Sequence, residues 1–295
     1  METFRGMAAL GRKSLALDRA LAKSDVPAVL RWQFLAEKAR VLPILLGGHS
    51  ATLHLGRYKF LLESTSDLGT LQSCLVDVQS ALVVSGVLDA GGSQRVVDVG
   101  ANVGQFAAAV KALSPGSHVV CFEPDPIVFS SLARNVGELP NVEAQCLALG
   151  RESGVATLFR HELSVMSSFH PAGAGYDEKI TVSVDVARLD DVLGDEDPVD
   201  ILKVDVEGSE LAVLQGGTDV LRRSRFLLVE IGLSRDTRGE NLELMTVVRD
   251  AVPGARIMGF GRPLGTLADP IAQEVLIALD RSEGTRMVPA SGACR

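Results

Sequence analysis

Val96-Val97-Asp98-Val99-Gly100-Ala101-Asn102-Val103-Gly104-Gln105-Phe106 is the stretch on which the fold turns. It opens as a β-branched apolar run, as a strand buried on both faces does, and passes through a loop with two glycines straight into a helical pattern ending near Leu113. Gly100 and Gly104 let backbone approach a ligand closely, and the free amides at the helix start point toward it. The spacing is Gly-x-x-x-Gly, without the third glycine of a dinucleotide fingerprint, and Asp98 precedes the first glycine. A carboxylate there repels a pyrophosphate and attracts an ammonium group such as that of a methionine-like ligand.

Beyond this stretch, apolar β-branched runs alternate with helical patterns. Strand His118–Glu123, helix Pro126–Val136 and strand Val142–Leu147 come first. After an insertion from Gly150 to about Ile180 follow strand Asp200–Asp205, helix Ser209–Gln215, strand Phe226–Ile231 and helix Asn241–Ala251. Arg256–Met258 and Gln273–Leu279 supply two more strands, the last antiparallel. Such alternation predicts a doubly wound, mostly parallel α/β sheet covered on both faces, with its ligand at the carboxyl ends of the strands. Upstream, Leu71–Val87 reads as a helix, and Ala51–Leu55 with Tyr58–Leu62 as a hairpin turning at Gly56-Arg57. From Phe4 to Leu46 the pattern is helical, with Pro27 and Pro43 as breakers. The expected organisation is a helical appendage at 1–50, a lead-in at 51–93, a ligand-binding domain at 94–280 and a tail at 281–295.

Of the 295 residues, 46% are hydrophobic and 22% charged, enough for a large core and too ordered a composition for disorder. Charges interrupt each apolar run before the roughly 20 residues that a spanning helix needs, and the start lacks the apolar stretch of a signal peptide. The expectation is a cytoplasmic protein without membrane contact. A net charge of −8 with no basic block argues against nucleic acid as a partner. The four cysteines, Cys74, Cys121, Cys146 and Cys294, lack metal-ligand or disulfide spacing. Arg12, Lys13, Arg19 and Lys23 among the leucines of the appendage suit a helix packed on its own domain or on a second copy, so a homodimer is plausible.

The second strand ends Cys121-Phe122-Glu123-Pro124, some 20 residues past the glycine loop, where a carboxylate can accept hydrogen bonds from both hydroxyls of a ribose. After the third strand, Ala148 and Leu149 place small apolar side chains where an adenine edge would lie. Taken with "FEPDP", Ser167-Ser168, "RLDDV" at Arg188–Val192, "ILKVDVEGSELAVLQG" at Ile201–Gly216 and "LLVEI" at Leu227–Ile231, the glycine loop resembles the FkbM family of class I methyltransferases, over roughly Leu53 to Leu279. The resemblance implies a seven-stranded sheet with an antiparallel last strand, S-adenosylmethionine as cofactor, and methyl transfer mostly to oxygens of natural products and glycans. On that reading Asp98, Gly100, Asn102, Gly104, Glu123, Pro124, Ala148, Leu149, Ser168 and Asp205 form the cofactor site.

Asp205 ends the fourth strand, and Glu207 and Gly208 open the following helix. An acid there can hydrogen-bond the methionine ammonium, orient the acceptor hydroxyl or ligate a divalent metal, or merely cap the helix. Glu230, inside an apolar run, needs a partner or a cleft, and either serves the acceptor or pairs with a cation such as Lys203. His161 and His170 flank Ser167-Ser168 in the insertion, where a lid over the acceptor would form; His170 joins Asp205 and Glu230 as a catalytic candidate. Asp205, Glu207 and Glu230 together have the oxygen-only make-up that Mg²⁺ prefers, but sulfonium chemistry needs no metal, so metal independence is the expectation. Two rival readings are an NAD(P)-dependent oxidoreductase and a non-catalytic module on the same scaffold. The first lacks the third glycine and a Tyr-x-x-x-Lys pair, Ile180 standing four after Tyr176; the second would tend to lose the acids retained here.

Overall fold

A computed structural model describes residues 15–161, 176–194, 197–232, 238–260, 264–266 and 269–279, apart from residues 16, 25, 79–81, 83–85 and 90. Ser168, His170 and the expected tail 281–295 lie outside the described residues, as does most of the segment before Leu17.

In chain order the elements are α1 Ala28–Leu46, β1 Ala51–Leu55, β2 Tyr58–Leu62, α2 Thr65–Asp77, β3 Arg95–Val99, α3 Gln105–Leu113, β4 His118–Phe122, α4 Pro126–Val136, β5 Val142–Gln145, β6 Ala148–Leu149, β7 Gly154–His161, β8 Tyr176–Ala187, α5 Leu189–Leu193, β9 Val199–Val204, α6 Glu210–Gln215, α7 Thr218–Arg223, β10 Ser224–Gly232, α8 Arg238–Ala251, β11 Arg256–Phe260, β12 Leu264–Thr266 and β13 Asp269–Ala278. The principal sheet runs β11-β13-β10-β9-β3-β4-β5, seven strands, with the short β12 paired to β13. β3 is parallel to β4 and to β9, and β9 is parallel to β10, whereas β13 is antiparallel to both β10 and β11. The expected doubly wound, mostly parallel α/β sheet with an antiparallel last strand is therefore present. Its winding reverses between β3 and β9, since the chain builds outward from β3 through β5 before returning to β9. Ligands of such sheets bind at that reversal.

By internal contacts the chain divides into two compact units. One gathers the described residues of 1–93, 103–117 and 131–142; the other gathers those of 94–102, 118–130 and 143–295. In the first, β1 and β2 form the expected hairpin, Leu55 opposite Tyr58, with Leu53, Leu55, Phe60 and Leu62 buried on one face. Its second helix begins at Thr65 rather than Leu71, because Ser64 and Asp67 form a capping box: the Ser64 hydroxyl accepts from the Asp67 amide while Asp67 accepts from the Ser64 amide. Pro43 does not break α1. It stands one turn from the helix end, where its missing N–H forfeits a single bond and the Gly47 amide still reaches its carbonyl. Pro27, in contrast, stands at the cap position that precedes α1.

The second unit carries the core around β9 and β10, with Val97, Phe122, Leu202, Val204, Leu227, Val229 and Leu244 among its buried residues. The insertion forms a separate three-stranded sheet, β6-β8-β7, in which β7 and β8 are antiparallel and β6 pairs in parallel with β8. No helix among the described residues is long and apolar enough to cross a membrane.

Candidate functional site

The glycine loop and the end of β9 meet at the reversal of the sheet. Gly100 lies at φ +81°, and a Cβ there would stand 1.8 Å from the Asp205 carbonyl oxygen. Only glycine permits that approach, which the hydrogen bond from the Asp205 amide to the Val99 carbonyl locks at 3.0 Å. Gly104, at φ +93°, would press a Cβ against Val136 at 3.0 Å and Leu132 at 3.1 Å. Both glycines are thus demanded by the protein's own packing, beyond any approach of a ligand. Asn102, between them, takes a left-handed φ of 49°.

At the end of β4, Glu123 is 9% exposed and bridges two backbone turns. Its Oε2 accepts from the Asn102 amide at 3.1 Å and its Oε1 from the Asp125 amide at 3.0 Å. Burial pushes its carboxyl up to about 7, against the pull of those two amides. A carboxylate offers about four lone-pair sites, so two remain for ligand hydroxyls. Beside it Ile127 is 65% exposed, an open apolar surface at the start of α4.

Asp98 and Lys203 are register partners on the parallel strands β3 and β9. The Lys203 ammonium stands 3.1 Å from Asp98 Oδ1 and 3.2 Å from Asp205 Oδ2. Asp98 is wholly buried, and although burial raises its carboxyl, the Lys203 charge pulls it back. Asp98, expected to meet an ammonium group of the ligand, here has no exposed surface, and the ammonium beside it is that of Lys203. Lys203 thus bridges Asp98 and Asp205.

Glu230, from β10, turns toward the other acids and shares a hydrogen bond with Asp205. Asp205, Glu207 and Glu230 each bring one carboxylate oxygen within 4.8 Å of the others. Burial, followed by the charges of Asp205, Glu207 and Glu210, drives Glu230 up to about 10. Glu207, at a left-handed φ of 53°, is driven to about 8 by desolvation and then by Asp205 and Glu210; since its residue surface is open, charge crowding is the firmer cause. Glu210 braces the loop, accepting from the Val206 amide at 3.0 Å and the Gly208 amide at 3.1 Å. Crowding of these four acids makes the site one that attracts positive charge.

The expected site residues fare differently. Asp205 and Glu230 come together, while Glu123 sits with Asn102. Ala148 and Leu149 separate: Ala148 is buried in a small cluster with Leu158 and Val184, whereas Leu149 lines a cavity of about 460 Å³ with Ala156, Phe159, Val186, Ser209 and Ala212. Pro124 contributes its carbonyl, which the Cys146 thiol approaches at 3.7 Å. Lys203, Glu210, Asp125 and Arg160 carry the site's internal bonds. Of these, Lys203 and Glu210 lie within the quoted stretch Ile201–Gly216 and Asp125 within "FEPDP", whereas Arg160 lies in no quoted motif.

The family model described as "Methyltransferase FkbM domain" matches residues 98–257. The chain belongs to the FkbM methyltransferase family. It is 37% identical over 146 residues to "Methyltransferase 1" of Beauveria bassiana, covering 42% of this chain and 58% of that protein. It is 30% identical over 186 residues to "31-O-demethyl-FK506 methyltransferase FkbM" of Streptomyces tacrolimicus, covering 52% of this chain and 70% of that one. With "2-O-methyltransferase NoeI" of Sinorhizobium fredii it shares 26% identity, covering 46% of this chain and 62% of the relative. The match thus spans somewhat less than two thirds of the Beauveria and Sinorhizobium relatives.

Proposed function

We propose that this FkbM-family chain is an S-adenosylmethionine-dependent methyltransferase that methylates a hydroxyl oxygen of a small molecule or glycan. The observation that carries this reading is the gathering of Asp205, Glu207 and Glu230 within 4.8 Å at the reversal of the sheet, with Glu210 near enough to raise the Glu230 carboxyl further. S-adenosylmethionine, when bound, supplies an activated methyl group and two cationic centres that such a cluster attracts. Glu123 has the free lone pairs to hold ribose hydroxyls, and Ile127 the open apolar surface for a base. The 2-O and 31-O in the names of two relatives support an oxygen acceptor.

Within the site, Asp205 orients the acceptor hydroxyl and takes its proton, while Lys203 fixes its carboxylate from behind. Glu230, with its carboxyl near 10, is protonated at neutral pH, so it donates to Asp205 and orients it rather than acting as the base. Much of the acceleration then comes from holding donor and acceptor in line. The cavity walled by Leu149, Phe159 and Val186 is the place for an apolar part of the acceptor. Residues 94–280 form the catalytic domain on this reading. The net charge of −8 argues for an acceptor other than nucleic acid, and exposed Val29 and Trp32 on α1 support a homodimer.

The same trio of carboxylates favours a second reading, in which a divalent cation joins the site. Calorimetric titration with S-adenosylmethionine and separately with NAD, before and after dialysis against chelator, decides between these. Micromolar binding of the first alone, unchanged by chelator, followed by methyl transfer to sugar or natural-product hydroxyls, is the expected result. Binding of NAD, or of neither, would overturn it; activity lost in chelator and restored by Mg²⁺ would establish the second reading.

A further inference from the structure

Arg160, near the end of β7, is where the insertion grips the ribose end of the site. Its Nε donates to Asp125 Oδ2 at 2.6 Å and its Nη2 to Asp125 Oδ1 at 2.6 Å, a two-pronged pair that fixes plane as well as distance. The Asp125 side chain is 3% exposed. Its Oδ1 also accepts from the Ile127 amide at 2.8 Å, and its own amide donates to Glu123 Oε1 at 3.0 Å. Glu123 Oε2 in turn takes the Asn102 amide of the glycine loop. One bonded path therefore runs from the insertion sheet through Arg160, Asp125 and Glu123 to Asn102. An exposed pair of this kind would hold little, but a buried carboxylate stripped of its partner must move to find water or a proton, and here it would carry the turn's amide with it.

We propose that Arg160 is a positioning residue for the cofactor: acting through Asp125, it aims the Glu123 carboxylate at the ribose hydroxyls and ties the sheet that carries cavity residues Ala156 and Phe159 to that carboxylate. The proposal rests on Glu123 as the ribose acid of the function proposed above. It makes the insertion a determinant of cofactor affinity as well as of acceptor choice.

The test is calorimetry with S-adenosylhomocysteine and with its 2′-deoxy analogue, on wild type, Arg160→Met and Arg160→Lys. Arg160→Met is expected to weaken the first ligand roughly tenfold and the deoxy analogue only about twofold, because the lost aim matters through the missing hydroxyl. Arg160→Lys, which keeps the charge without the fork, recovers part of the loss. An equal penalty on both ligands, or none, would overturn the proposal while leaving the cofactor reading intact. A wild type that binds neither ligand removes the reading of Glu123 and this proposal with it. Should Arg160→Met fail to fold, the charge-balanced pair Arg160→Met with Asp125→Asn is measured instead, with the same hydroxyl-dependent loss expected.

Discussion

Glu123 and Glu230 both stand at the carboxyl end of a buried strand in the same sheet, yet their surroundings are opposite. Glu123 is met by two backbone amides, from Asn102 and Asp125, and its carboxyl rises only to about 7 despite being buried. Glu230 is met by further acids, Asp205, Glu207 and Glu210, and rises to about 10. Fixed dipoles complete the first end before any ligand arrives, so it is suited to neutral hydroxyls. The second crowds carboxylates together, which suits a cationic donor.

Lys203 is joined to the acid-rich end through Asp205 and to Asp98 behind it, and the largest effect should follow from upsetting its balance. Asp98→Ala removes a buried carboxylate that holds the Lys203 ammonium, and is expected to cost about 3–5 kcal/mol of stability in urea unfolding. Adding Lys203→Met should return a good part of it. If Asp98→Ala weakens cofactor binding with no change in the unfolding midpoint, Asp98 faces the ligand after all. Asp205→Asn probes the same end for chemistry: turnover should fall about a hundredfold or more, while cofactor affinity falls far less. Equal losses would make Asp205 a cofactor ligand rather than the group acting on the acceptor. At the dipole-satisfied end, Glu123→Ala should weaken S-adenosylmethionine by about 1–3 kcal/mol in calorimetry with turnover at saturation little changed. Unchanged affinity would reject Glu123 as the ribose acid.

The two ends also differ in how far they were legible. The glycine loop, strand β4 and the acid at 123 follow one another within a short stretch, so local pattern placed them, and α4 emerged with its bounds as expected at Pro126–Val136. The acid-rich end joins residues from β9, the loop after it and β10, and only the register of three strands brings them to one point. That register also explains why Asp98 looked like a ligand group: its cation lies 105 positions along the chain, directly opposite in the neighbouring strand. The insertion was opaque because β7 mixes polar and apolar residues on both faces, Thr157 on one and Arg160 on the other, while β8 alternates Val182, Val184 and Val186 with Thr181, Ser183 and Asp185 and so lacks the continuous apolar run that announced the parallel strands. α2 starts earlier than its apolar pattern predicts for a smaller reason, a capping box that uses Asp in place of the usual Glu.

The finest test of the contrast is the pH dependence of stability without cofactor. Glu230 rises from an ordinary value of 4.5 to about 10 on folding, so the folded protein binds its proton more tightly than the unfolded chain does. Stability from this group is then complete below about pH 4.5 and is lost progressively as pH climbs toward 10. Glu207, shifted to about 8, adds to the decline over the lower part of that range. Glu230→Gln has no proton to surrender, and its amide can still donate to Asp205. Urea midpoints measured at pH 5, 7 and 9 should therefore nearly coincide for the two proteins at pH 5 and diverge as pH rises, the variant being the more stable at pH 9. Parallel lines across the three pH values would mean that Glu230 is not crowded by acids. Saturating S-adenosylmethionine should flatten the wild-type line more than the variant's, since its positive charge gives the ionised cluster the counterpart that protons otherwise provide.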